Sequence, residues 1–407
     1  MRRFRFAWAA AFLGLFTGST FAALDVTITC WRQNLNGRMG TSTNSAINAC
    51  VSLIPSDVTS VKYTATDVYV RSTDVPSYNV GPFPDGNPSY PSNRDRSYRI
   101  PRSPVAQSGT HTATPLGSIG VLMNGVCVFN ALDAHSYNNQ NIWHQNAVVL
   151  EALGFDSSLG HPAPVMNGGN CNGHQNGLYH HHQRSPALLA ALGDDGVRHS
   201  PIIGYAYDGF PIYGPYAYDD PISGGAVRRM RSSYRLRNIT TRTTLPDGTV
   251  LPPSQYGPNV STTYPLGYYI EDFEYIAGMG DLDQYNGRIN ITPEYPGGIY
   301  CYYATIDSSG GAAYPYYLGP TYYGVVATDN FTTVTVPGNA VPYHPGDVNC
   351  DAVLSLGDID PFVLALIDPT SYAAAFPSCD AVAGDMNGDG VLDSRDIQLF
   401  VATVTGH

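Results

Sequence analysis

Imidazole is among the commonest protein ligands for a transition metal, and this chain concentrates it in one stretch. Of 11 histidines, many fall between His135 and His199, most densely in NCNGHQNGLYHHH, residues 170–182. In an extended strand, residues two apart share a face at about 6–7 Å, so His180 and His182 point one way and His181 the other. His174 stands just before them. The intervening Asn176-Gly177 is a turn-forming dipeptide that would fold it back toward the pair. His199 follows after one short predicted helix. The expected ligand set is therefore His174, His180, His182 and His199, suited to zinc or copper. Cys171 would add a thiolate if it is not in a disulfide. The competing reading is a strand whose histidines are plain hydrogen-bonding residues.

A second chemistry rests on oxygen. The tail carries one pattern twice: Asp347, Asn349, Asp351, Val353, Ser355 and Asp358, then Asp385, Asn387, Asp389, Val391, Asp393 and Asp396. Oxygen side chains at positions 1, 3, 5, 9 and 12, with the position-7 carbonyl of Val353 or Val391, are what a calcium loop supplies. Each loop runs into an apolar stripe at helical spacing, Ile359, Phe362, Val363 and Leu366 in one and Ile397, Phe400, Val401 and Val404 in the other. Two calcium sites are expected. Asp208 lies in turn-rich sequence, and Asp272, Glu274, Asp281 and Asp283 cluster before Asn286-Gly287. Asp281, Asp283 and Asn286 are read mainly as capping or turn groups, with a partial calcium site and, for paired acids near the histidines, general acid/base chemistry as the alternatives. No GxSxG, HExxH or GxGxxG names a reaction.

The elements that must hold these groups are mostly strands. Charged residues are 13% of 407, with 30 Tyr, 42 Gly and 31 Pro, a mixture that favours turns and extended segments over a helical bundle. The expected fold is a mainly β domain with a few short helices, plus a small α-helical domain with two calcium loops. Strands are predicted within Val58–Val70, as a hairpin over 118–130 about Asn124-Gly125, and at 331–336; helices at 143–154 and 186–193. Residues 76–104 read as loop.

The net charge of −12 makes nucleic acid a poor partner. Lys62 is the sole lysine and Glu151, Glu271, Glu274 and Glu294 the only glutamates, which limits Schiff-base chemistry and glutamate pairs alike. Arg2, Arg3 and Arg5, an apolar run from Phe6 to Phe16 and a small-residue site after Ala22 read as a secretory signal over residues 1–22, with no span in the mature chain. The domain is expected over 23–336, a Pro/Gly linker over 337–345 and the calcium module over 346–407. Export favours disulfides. Cys350 and Cys379 are the expected local pair, and Cys30–Cys50 a plausible short closure.

Two resemblances follow from these motifs. The doubled acidic loop, each copy followed by one helix, resembles a dockerin type I module over about 346–406. Position 6 of its first loop is Ala352 where Gly is usual. The resemblance implies two bound calcium ions and a cohesin-like partner or a cell surface. Tyr179-His180-His181-His182, with HSPIIGYAYDGFPIYGPY from His199 and the segment Tyr269–Tyr303, resembles the YHYH domain family over about 115–327. His181 replaces the second tyrosine of that signature. The resemblance names a domain without a reaction.

Three functions fit this sequence. One is a secreted or cell-surface protein with a metal-binding YHYH domain, attached through its calcium module. Another is an extracellular hydrolase acting on polysaccharide by metal or Asp/Glu chemistry. The third is a structural component of the cell envelope.

Overall fold

The computed structural model describes residues 25–165 and 169–405. The expected signal segment, residues 1–22, lies outside them. Two sheets dominate. The larger has ten strands. Its path runs Asn170–Cys171, His174–His181, Cys127–Phe129, Ser118–Leu122, Ile202–Ala206, Pro211–Tyr213, Ile299–Tyr303 and Gly287–Asn290, and Ser89–Pro91 and His161–Pro164 also pair with His174–His181. The smaller sheet has four strands in the order Val341–Tyr343, Val58–Tyr63, Asp67–Ser72 and Arg96–Pro101. A mainly β fold with short helices is thus what the chain adopts.

Aromatic and branched side chains at alternating positions bury on both faces of the central strands. Tyr205, Tyr207, Tyr213, Tyr302 and Tyr303 are all fully enclosed. Buried phenols need partners. Tyr213 donates to Glu294 and lies 2.9 Å from the Thr292 hydroxyl, and Tyr302 donates to Asp208. The tyrosines and Phe210 of 205–213 are therefore core, whereas Tyr216 and Tyr218 are half-buried.

The acids of the middle segment are structural. Asp272 and Arg242, both wholly buried, form two 2.7 Å bonds. Asp281 pairs with Arg228 and Arg231, and Glu274 with Arg235. Asp283 accepts from Tyr285 and Gly287 backbone N–H groups and from the Tyr300 hydroxyl. Asn286 adopts φ 68° and donates to Tyr303 and Tyr317 carbonyls.

Several expectations need correction. The hairpin about Asn124-Gly125 and the helix Pro186–Ala191 form, but 143–154 is not one helix. His144–Asn146 pairs with Leu132–Ser136, and only Ala147–Leu150 makes a single α-turn. Buried Asn146, bonded to Gly267 and Tyr316, draws the backbone out of helix. Residues 332–336 join no strand. There Asp329 and Asn330 anchor a short 3-10 turn to Arg99 instead. The expected loop 76–104 contains Arg96–Pro101, paired along its length with Asp67–Ser72. Cys50 bonds to Cys171, not to Cys30, which tethers the helix Ser45–Val51 to the histidine-bearing hairpin and removes Cys171 as a thiolate donor. Cys350 bonds to Cys379.

Within 337–345, read as linker, Val341–Tyr343 pairs with Val58–Tyr63. The tail beyond has its own apolar cluster of Val348, Phe362, Ala365, Tyr372, Leu392 and Phe400. Phe362 and Phe400 stack at 3.9 Å between the helices Ile359–Ile367 and Ile397–Thr405. Ile359, Val363, Ile397 and Val401 of the same stripes stay largely exposed. The two acidic loops repeat each other's hydrogen bonds. Asp347 and Asp385 accept from the N–H groups at positions 5 and 6, and Asp358 and Asp396 from those at positions 2, 3 and 9.

Candidate metal centre

Antiparallel pairing sets His161 directly opposite His180. Strand alternation adds His182 on the same side as His180, one residue past the strand end. Glu151 arrives from the C-terminal end of Ala147–Leu150. The ligand atoms of Glu151, His161, His180 and His182 all lie within 4.8 Å of one another.

The separations can be tested against coordination chemistry. His161 and His180 Nε2 are 3.1 Å apart, and His180 and His182 Nε2 are 3.0 Å apart. Glu151 Oε2 lies 2.8 Å from His161 Nε2 and 3.2 Å from His182 Nε2. Ligands about 2.0–2.2 Å from a metal and separated by 90–110° stand roughly 2.8–3.6 Å from each other. All four distances fall in that range.

The tautomers make a stronger point. His180 Nδ1 lies 3.0 Å from the Leu178 carbonyl and His182 Nδ1 lies 2.5 Å from the Asn130 carbonyl. A carbonyl can only accept, so each Nδ1 carries the proton and each Nε2 presents a lone pair. Two lone pairs then face each other at 3.0 Å with both rings about 1–2% exposed. Glu151 Oε2 is buried and, among the described residues, makes no hydrogen bond despite the two imidazoles beside it. A cation at the centre satisfies all of these atoms, and carbonyl-bonded Nδ1 groups are the outer support that metal-binding histidines use. The donor set of three imidazoles and one carboxylate fits zinc or copper.

The electrostatics agree. Burial, then repulsion from the imidazoles of His161 and His182, drives the His180 imidazole far below its ordinary range and keeps it neutral. Burial raises the Glu151 carboxyl, whereas hydrogen bonds and charge from His161 and His182, when those rings are protonated, lower it to about 2, so the carboxylate is ionised. The rings are clamped by aromatics. Phe129 stacks on His180 at 3.8 Å, and Phe155 meets His161 edge-on at 5.0 Å.

The expected ligands divide. The structure brings His180 and His182 together and leaves His174 and His199 elsewhere. His174 begins the same strand, so six residues, roughly 20 Å of extended chain, separate it from His180. The turn is at Asn172-Gly173, with φ 51° and 85°, while Asn176 and Gly177 lie inside the strand. His199 is buried between Tyr213 and Tyr218, its Nδ1 on the Ser200 carbonyl and its Nε2 near Asn290. Sequence reasoning missed His161 and Glu151. The only available signals were the rarity of glutamate and a histidine set between Gly160 and Pro162. His181 faces away, between the Tyr78 hydroxyl and the Leu159 carbonyl.

The centre forms one end of a pocket of about 510 Å³. Leu116, Phe129, Leu132 and Pro162 wall it, and Asp85 and Asp133 stand at its side. Glu151, with 23% of its side chain exposed, and His161 are the ligands nearest solvent.

Comparison of the chain with curated proteins and with solved structures gives no match. The model of the family described as YHYH protein matches residues 97–313, more than half of the chain and starting earlier than the motifs alone suggested. That span holds all four clustered groups. The chain therefore belongs to the YHYH protein family.

Proposed function

We propose that this is a secreted or cell-surface protein whose YHYH domain holds one transition-metal ion, zinc or copper, on Glu151, His161, His180 and His182. The observation that carries the reading is the pair of opposed Nε2 lone pairs of His180 and His182, 3.0 Å apart in a buried site. Left unmatched, buried polar atoms of this kind cost roughly 1–3 kcal/mol each. Two disulfides suit an extracellular setting. Elemental analysis of the untagged chain should find one zinc or copper per molecule, absent from a folded His180→Ala/His182→Ala variant. A folded wild-type protein that takes up neither ion on reconstitution would refute the reading.

The tail is proposed as a dockerin-like calcium module that attaches the domain to a cohesin-like partner or a surface. Its support is the twofold repetition of ligand spacing and of loop hydrogen bonds. Calorimetric titration should find two calcium ions per chain, and one fewer after Asp385→Ala. A chain that binds no calcium would end this part of the proposal alone.

A further inference from the structure

The pocket beside the metal centre is unusual in its charge. Among the described residues, neither Lys nor Arg lines it, whereas Asp85, Asp133 and Glu151 all do. A divalent ion on three neutral imidazoles and one carboxylate leaves one unit of positive charge. Asp85 and Asp133 more than offset it. Sites that recognise carboxylates or phosphates normally place an arginine, a lysine or a helix N-terminus against the anion. Here the remaining contacts are mainly apolar, through Leu116, Phe129, Leu132 and Pro162, with Asn87 and His135 as polar groups. The volume, about 510 Å³, is that of a small-molecule site rather than a groove for a polymer. Asp133 and Asp85 are also held in place: Asp133 accepts from the His135 backbone N–H at 3.2 Å, and Asp85 from that of Asn87 at 2.9 Å.

Resting on the metal reading, we infer that the pocket admits an uncharged small molecule that reaches the metal through a nitrogen or hydroxyl lone pair, and that Asp85 and Asp133 exclude anions from it. The apolar wall receives the ligand's hydrocarbon part. Its donor atom approaches past Glu151 and His161, the ligands nearest solvent, as a fifth ligand.

Cobalt(II) in place of the native ion gives a visible spectrum that reports each ligand. Imidazole serves as the neutral probe and azide as the anionic one, both titrated at pH 7.5 into the full chain. The expected result is that Asp85→Asn/Asp133→Asn tightens azide about tenfold and moves imidazole less than twofold, a change worth roughly 1.4 kcal/mol for azide alone. Leu116→Arg, at an exposed position on the wall, should tighten azide likewise and guards against misfolding of the double variant. Azide affinity unchanged in both variants overturns the inference while leaving the metal site intact. A chain that develops no cobalt bands overturns the metal reading and this inference together, and the two failures are told apart by the spectrum before any probe is added.

Discussion

Replacing His180 with alanine removes one of four ligands and the ring that faces both other imidazoles. Zinc held by four protein ligands is worth about 10–16 kcal/mol, so one ligand accounts for roughly 3 kcal/mol. At about 1.4 kcal/mol per decade this is two powers of ten in affinity. Competition against a chromophoric chelator at neutral pH reads it directly. Zinc at a hundred times its dissociation constant should also stabilise the wild-type fold by about 2.7 kcal/mol, a gain that falls to about 0.4 kcal/mol in His180→Ala at the same concentration. His174→Ala provides the contrast: its ring is half-exposed at the far end of the strand, so zinc affinity should stay within twofold. Long-range proton–nitrogen spectra of the imidazoles test the cause. The metal-free protein should show Nδ1–H on His180 and His182, and metal should shift Nε2 alone. Zinc binding by His180→Ala within threefold of wild type, or an Nε2–H tautomer on both rings, would refute the lone-pair argument.

Other outcomes follow from the same structure. Arg242→Met strands the fully buried Asp272 carboxylate and should cost about 3–5 kcal/mol in denaturant unfolding. Cys50→Ser/Cys171→Ser opens a loop between residues 121 apart; the chain-entropy model predicts roughly 4–5 kcal/mol lost on thermal unfolding, with stoichiometric metal retained. Burial drives the His199 imidazole down to about 4, outweighing its hydrogen bond to the Ser200 carbonyl, which raises it. Its folded value thus lies below the unfolded one, so stability is intact above pH 6.5 and falls as the unfolded chain takes up a proton between pH 6.5 and 4. The wild-type slope over that window should exceed that of His199→Gln by up to about 1.4 kcal/mol per pH unit, and equal slopes would refute the assignment.

Half of the candidate metal centre was legible in the sequence because strand alternation is local. His180 and His182 share a face whatever the strand pairs with. His161 and Glu151 depend on pairing register and on how a one-turn helix ends, which no local spacing encodes. The misplaced His174 has a specific origin. Two Asn-Gly dipeptides lie four residues apart, and both satisfy the hairpin signal. Asn172-Gly173 makes the turn. Gly177 is needed instead for close approach, since a Cβ there would meet Pro162 and Ser89 at 2.7 and 2.9 Å. Glycine serves turns and tight pairing alike, and its sequence neighbours do not say which. The mainly β class was readable from composition, whereas the 143–154 segment, apolar enough for helix, was overruled by the buried partners of Asn146.

The pairing of Val341–Tyr343 with Val58–Tyr63 also bears on how the chain is made. Synthesis is vectorial, and the strand that closes this edge emerges roughly 280 residues after the edge it covers, on the order of 15–55 s at ordinary elongation rates. Until then the Val58–Tyr63 edge offers unpaired backbone groups to any neighbouring nascent chain. Lys62, the only lysine in the protein, stands exposed on that edge and later lies opposite Pro342. A lone charge on a waiting edge strand is a device that deters intermolecular sheet growth. The cost of that charge in the finished fold is small, because the Lys62 side chain remains in water.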